Sequence, residues 1–131
     1  VSTTRRTPRY EDVQPVKDLV TNEEMYEAMV YMDQSPHDYA EAVADAEYAA
    51  YKIRMAEAVG ILVSGERNAA RQQADARTSQ AYANAVEDNR RAQMQAEMMK
   101  ARRAAAQLKI EVWRTLRADQ RARDVSEPGS R

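Results

Sequence analysis

TSQAYANAVEDNRRAQMQAEMMKARRAAAQLKIEVWRTLRADQRAR, residues 78–123, runs for 46 residues without a proline or a glycine. Alanine, glutamate, glutamine, methionine and arginine dominate it, and all are strong helix formers. One very long helix is predicted, spanning about 69 Å at ~1.5 Å per residue. One face carries Tyr82, Ala85, Asn89, Ala92, Ala96, Met99, Arg103, Ala106, Ile110 and Trp113. A second carries Met94, Met98, Ala101, Ala105, Leu108 and Val112. Two apolar stripes on one helix require more than one packing neighbour.

Working back from this stretch, Ser35 suits an N-cap, Pro36 the first helical position, and Asp38 the third, near the positive helix end. Tyr39, Ala42, Ala46, Ala49, Ile53, Ala56, Gly60 and Val63 then recur at alternating spacings of three and four, one face of a helix over 36–63 with heptad character. Glu41, Asp45, Glu47, Lys52 and Glu57 make the opposite face read as a solvated or docking surface. Gly65 predicts a C-cap and chain reversal. Residues 67–77 are polar and alanine-rich, and read as a partial helix or a loop before the long helix.

The 39–63 stripe and the first stripe of the long helix fit an antiparallel hairpin, which leaves the second stripe for another protomer. Upstream, Thr21 and Glu24 form a capping box, and Val20 and Met25 occupy the positions of a hydrophobic staple. They predict a short helix over 22–32 that docks through Met25, Met29 and Met32. Ile110, Trp113 and Leu116 outrun the hairpin and need a cover, either this short helix or a symmetry mate. Residues 1–18 read as a flexible arm and 126–131 as a disordered tail.

The expected fold is therefore all-α: a single helical domain over 19–125, built on a long antiparallel hairpin with a short N-terminal helix and assembled into a helical-bundle oligomer. Its packing and oligomer residues are Tyr39, Ile53, Met94, Met98, Met99, Leu108, Ile110, Val112 and Leu116. The chain has no phenylalanine, one tryptophan and three glycines. Much of its apolar content is alanine, which buries little area per residue, so the core is thin and assembly is expected to supplement it. No apolar run reaches the length of a membrane span and no secretion signal is visible, so a cytoplasmic setting is expected.

Several chemistries are excluded. Without cysteine there is no disulfide or thiolate site. His37 is the only histidine and sits in a first helical turn, with no second histidine or cysteine to complete a catalytic set. Glu41, Asp45 and Glu47 lack the Glu-x-x-His spacing of a di-iron bundle, and no glycine-rich phosphate loop exists. A non-enzyme without cofactor or metal is expected.

Charge gives a stronger signal. The chain carries 20 basic and 21 acidic residues, but residues 1–65 hold 6 and 12 while 66–131 hold 14 and 9, a division of −6 against +5. Between Lys100 and Arg123 eight basic residues face only Glu111 and Asp119. They form a sleeve around the helix rather than a clean stripe. Arg102, Arg103, Lys109, Arg114, Arg117 and Arg121 are candidates for phosphate contact, which needs positive charge density more than a sequence motif. Trp113, beside Arg114 and close to Arg117, offers a face on which an exposed base can stack. Pairing of the acidic half with the basic half, within a protomer or between protomers, accounts for the same charges, and Trp113 also fits simple packing at three residues from Ile110.

Four features occur in order: a capped helix, DAEYAAYK at 45–52, SGER at 64–67 and LRADQR at 116–121. Across about 36–123 this layout resembles small helical accessory proteins of tailed bacteriophages, and most of all the recombination mediators of T-even phages. The resemblance implies an oligomeric ring or barrel of helices without catalytic residues. It also implies binding of single-stranded DNA without sequence specificity, and a recombinase or single-strand-binding protein as partner in the infected bacterial host. The alternative is a structural or adaptor protein of a phage particle that binds protein through its long helices.

Overall fold

The computed structural model describes residues 19–126. The expected arm over 1–18 and, but for Ser126 at the end of the last helix, the expected tail over 126–131 lie outside the described residues. Among those residues the chain is all-α, with four helices and no strand: α1 (Asn22–Gln34), α2 (Pro36–Val63), α3 (Ala69–Arg77) and α4 (Gln80–Ser126). Residues 67–77, left between helix and loop by the sequence, hold α3, a separate helix packed on α2 that the expected hairpin did not include. The chain divides into two compact units, Asp33–Ala104 and a second made of Val1–Met32 with Ala105–Arg131, and α4 contributes to both.

In the unit Asp33–Ala104, α2 buries Ala42, Ala46 and Ala49, and α4 buries Ala85. The Gln93 amide donates to the Ala46 carbonyl at 3.2 Å, and Arg103 donates to the Ser35 hydroxyl while its guanidinium lies 5.5 Å from the centre of the Tyr39 ring. These contacts ascend α2 as they descend α4, so the two helices run antiparallel there. Ser35 departs from its expected use. Its backbone is helical (φ −90°, ψ −11°) and its side chain caps nothing, because a single residue separates α1 from α2 and the hydroxyl faces Arg103.

The end of α2 also departs from expectation. Ser64, in extended conformation, terminates the helix: its N–H donates to the Ile61 carbonyl, and its hydroxyl donates to Asp75 at 2.8 Å and accepts from the Glu66 N–H. Gly65 has no positive φ and open space around its Cα. A serine held by α3 does what a left-handed glycine was expected to do. Asn68 then caps α3 by accepting from the Ala70 and Arg71 N–H groups at 2.8 and 3.3 Å, and Ser79 accepts from the Tyr82 N–H at the start of α4. Against α2, α3 places Ala76, fully buried, directly on Gly60. Glu57 of α2 accepts from Gln73 at 3.0 Å and from Arg77 at 3.4 Å.

In the other unit, Thr21 caps α1 as expected, accepting from the Glu24 N–H at 3.1 Å. Ala28 of α1 is buried with Ala106 and Ile110 of α4, and Tyr31 and Met32 pack against them. The short helix therefore supplies the cover that Ile110 needs. The first stripe of α4 is its buried or half-buried face throughout, from Tyr82 to Trp113. Met94, Met98 and Leu108 of the second stripe are exposed, while Met99, Val112 and Leu116 are half-buried. No large side chain is fully enclosed among the described residues, so apolar burial within one chain is small.

Candidate nucleic-acid interface

The last turns of α4 carry Trp113, Arg114, Arg117 and Arg121. Trp113 and Arg117 are four residues apart and so share a face. The Arg117 guanidinium lies 5.1 Å from the centre of the indole ring, a cation–π contact. Asn22, the first residue of α1, holds both: its side-chain oxygen accepts from the Trp113 indole N–H at 2.8 Å and from Arg117 at 2.9 Å. Arg121 folds back one turn, its Nε donating to the Arg117 carbonyl at 3.4 Å. Trp113, Arg117, Gln120, Arg121 and Asp124 line an open concavity of about 420 Å³.

This arrangement sets a half-buried indole, one face of it under the Arg117 guanidinium, beside a second arginine on an open wall. Indole and guanidinium planes accept a base by stacking, and the arginine N–H groups suit phosphate oxygens. Asp124 adds one carboxylate to the same wall, and Arg114 is exposed on the neighbouring helical position. No ion pair engages Arg114 or Arg121 among the described residues.

The remaining candidates fall elsewhere. Lys109 is exposed on α4 in the same unit, outside the residues lining the concavity, and Arg102 is exposed within Asp33–Ala104. Arg103 is half-buried, its charge directed onto Ser35 and Tyr39. Three of the seven sequence candidates, Trp113, Arg117 and Arg121, thus meet in one place. Asn22 and Gln120 were missed. Asn22 lies 91 residues from Trp113, and nothing local to either residue signals the pairing.

A second cluster is smaller. His37, Asp38 and Glu41 bring one ligand atom each within 4.8 Å of one another, all exposed, with His37 Nε2 3.7 Å from a Glu41 oxygen. It is an ordinary i,i+4 surface contact with no buried donor to preorganise it. No helix among the described residues is long and apolar enough to cross a membrane. Comparison of the chain with protein-family models, with curated proteins and with solved structures finds no match.

Proposed function

We propose that this chain is a non-catalytic accessory protein that binds single-stranded DNA without sequence specificity and acts as an oligomeric mediator of recombination or replication in a phage-infected cell. The observation that carries this reading is the pair formed by Trp113 and Arg117, held by one Asn22 oxygen beside Arg121 on an open wall. A stacking platform next to exposed cations is what sequence-tolerant recognition of unpaired bases requires. The thin alanine core supports the oligomeric part, because several copies multiply a modest cationic surface without a new type of contact.

Trp113 is the only tryptophan in the chain, so intrinsic fluorescence reports on the platform itself. Titration with oligothymidine at low salt is expected to quench it with micromolar affinity, and added salt is expected to reverse the quenching. Substituting Arg114, Arg117 and Arg121 together by glutamine is expected to weaken binding by at least about tenfold, since each phosphate contact contributes through counterion release. Unchanged fluorescence and no binding at low salt would sink the proposal in favour of the adaptor reading. The exposed tyrosines and aliphatic residues along α2 favour that reading as a protein-binding surface.

A further inference from the structure

α2 is apolar on the wrong side for a helix that serves only its own chain. Its buried residues are all alanine, with Tyr39 and Ile53 half-buried beside them, whereas five larger apolar side chains point away: Tyr48, Tyr51, Met55, Val59 and Leu62 are exposed, Leu62 by 82%. Their spacing follows a heptad. With Tyr48 at position a, Tyr51 falls at d, Met55 at a, Ala58 at d and Leu62 at a, with Ala44 the preceding d and Val59 beside the seam at e. The buried or half-buried stripe from Tyr39 to Gly60 occupies the f and b positions of the same heptads, and Val63, the next b position, is exposed. One helix therefore carries two seams of identical period on nearly opposite faces, and the chain fills only one of them.

From this we infer that the outer seam of α2 pairs with the α2 seam of a second copy, in parallel and in register, to form a two-fold dimer. The inference rests on the oligomeric part of the proposed function and names its surface. Charge selects the register. In a parallel pair each g position faces the e′ position five residues further on, so Glu47 meets Lys52 of the second copy, twice by symmetry. Lys52 already lies 4.9 Å from the centre of the Tyr48 ring, at the edge of the seam. The antiparallel register that covers the whole seam instead sets Lys52 against Lys52 and Arg54 against Arg54. An antiparallel register shifted toward the N-terminus relieves these clashes, but it leaves Leu62 uncovered.

The test is the oligomeric mass of the whole chain without DNA, by light scattering or sedimentation across a concentration series. The unaltered chain is expected to be a dimer or a multiple of one. Tyr51→Glu with Met55→Glu, at exposed positions, is expected to raise the dissociation constant at least about a hundredfold with helical circular dichroism retained. Glu47→Lys is expected to weaken the dimer about fivefold, and Glu47→Lys with Lys52→Glu to restore it. A monomeric wild type, or a mass unaffected by the double glutamate variant, overturns the inference. So does dissociation caused by Met94→Glu with Met98→Glu while the α2 variants remain dimeric, which moves the contact to α4. Failure of the charge swap to restore the dimer overturns the parallel register. DNA binding plays no part in these readouts, so the DNA-binding reading and the seam fail separately.

Discussion

Gly60 sits in the interior of α2, where glycine costs about 1 kcal/mol of helix propensity relative to alanine. Here its lack of a side chain is used. A Cβ at this position would lie 2.7 Å from both Cα and Cβ of Ala76, and the Cα is backbone that cannot swing aside. Gly60→Ala is therefore expected to destabilise the chain by about 1–3 kcal/mol, because overpacking outweighs the gain in propensity. Gly65→Ala, with nothing within 4 Å and no positive φ, is expected to be neutral or stabilising by about 0.5 kcal/mol. Thermal unfolding of the two variants side by side decides the matter: a Gly60→Ala chain as stable as the parent means that α3 moves away at no cost. The sequence placed Gly60 on the packing stripe and Gly65 at the turn. It did not show which glycine mattered, because the close approach depends on a residue 16 positions away.

At the scale of the element, α3 is a nine-residue helix, too short to persist on its own propensity. Its hold on α2 is the Ala76 contact, the hydrogen bond from the Ser64 hydroxyl to Asp75, and Glu57, whose carboxyl is lowered from its ordinary value first by the hydrogen bond from Gln73 and further by the positive charge of Arg77. A depressed carboxylate pKa contributes stability that is present above the unfolded value and lost as pH falls through the folded one. Amide exchange protection in α3 is thus expected to hold at neutral pH and to fall below the ordinary carboxylate range. Glu57→Gln is expected to remove most of that pH dependence. Protection in the parent that stays flat into acid would show that the Glu57 contacts are incidental. Glu87 is lowered in the same sense by Arg90 first and then Arg91, but these contacts lie within α4 and leave α3 untouched.

The elements themselves were largely legible. Pro36 and the alternating stripe delimit α2, Thr21 marks the start of α1, and the absence of breakers reveals α4, because these signals are local. Side-chain use at the joints was not legible. Whether Ser35 caps a helix or receives Arg103 depends on the register between α2 and α4. The outer seam of α2 escaped for another reason: Glu47, Lys52 and Arg54 interleave with Tyr48, Tyr51 and Met55, so that face reads as charged until the heptad letters are assigned. In the candidate interface, the arginines and the tryptophan were visible as composition. Their concentration around Trp113 was not, since it depends on a distant asparagine and on a basic sleeve that points in every direction.

At the scale of the whole molecule, the α2 seam and the Trp113 platform make a joint prediction about salt. If each copy engages single-stranded DNA through Arg114, Arg117 and Arg121, the slope of log affinity against log salt is about −2 per copy and about −4 when two copies share one strand. A strand long enough to reach both platforms of a dimer is expected to show the steeper slope, together with an affinity gain of about a hundredfold or more from the effective concentration of the second site. A short strand that fills one platform is expected to show the shallower slope with no such gain. The Tyr51→Glu, Met55→Glu chain is expected to give the shallow slope for both strands, because its platforms are intact and only their linkage is lost. Equal slopes for long and short strands on a dimeric parent would mean that the two platforms act independently. A steep slope retained by the monomeric variant would instead place the remaining phosphate contacts on the same chain, where Arg102 and Lys109 are the exposed cations to substitute next.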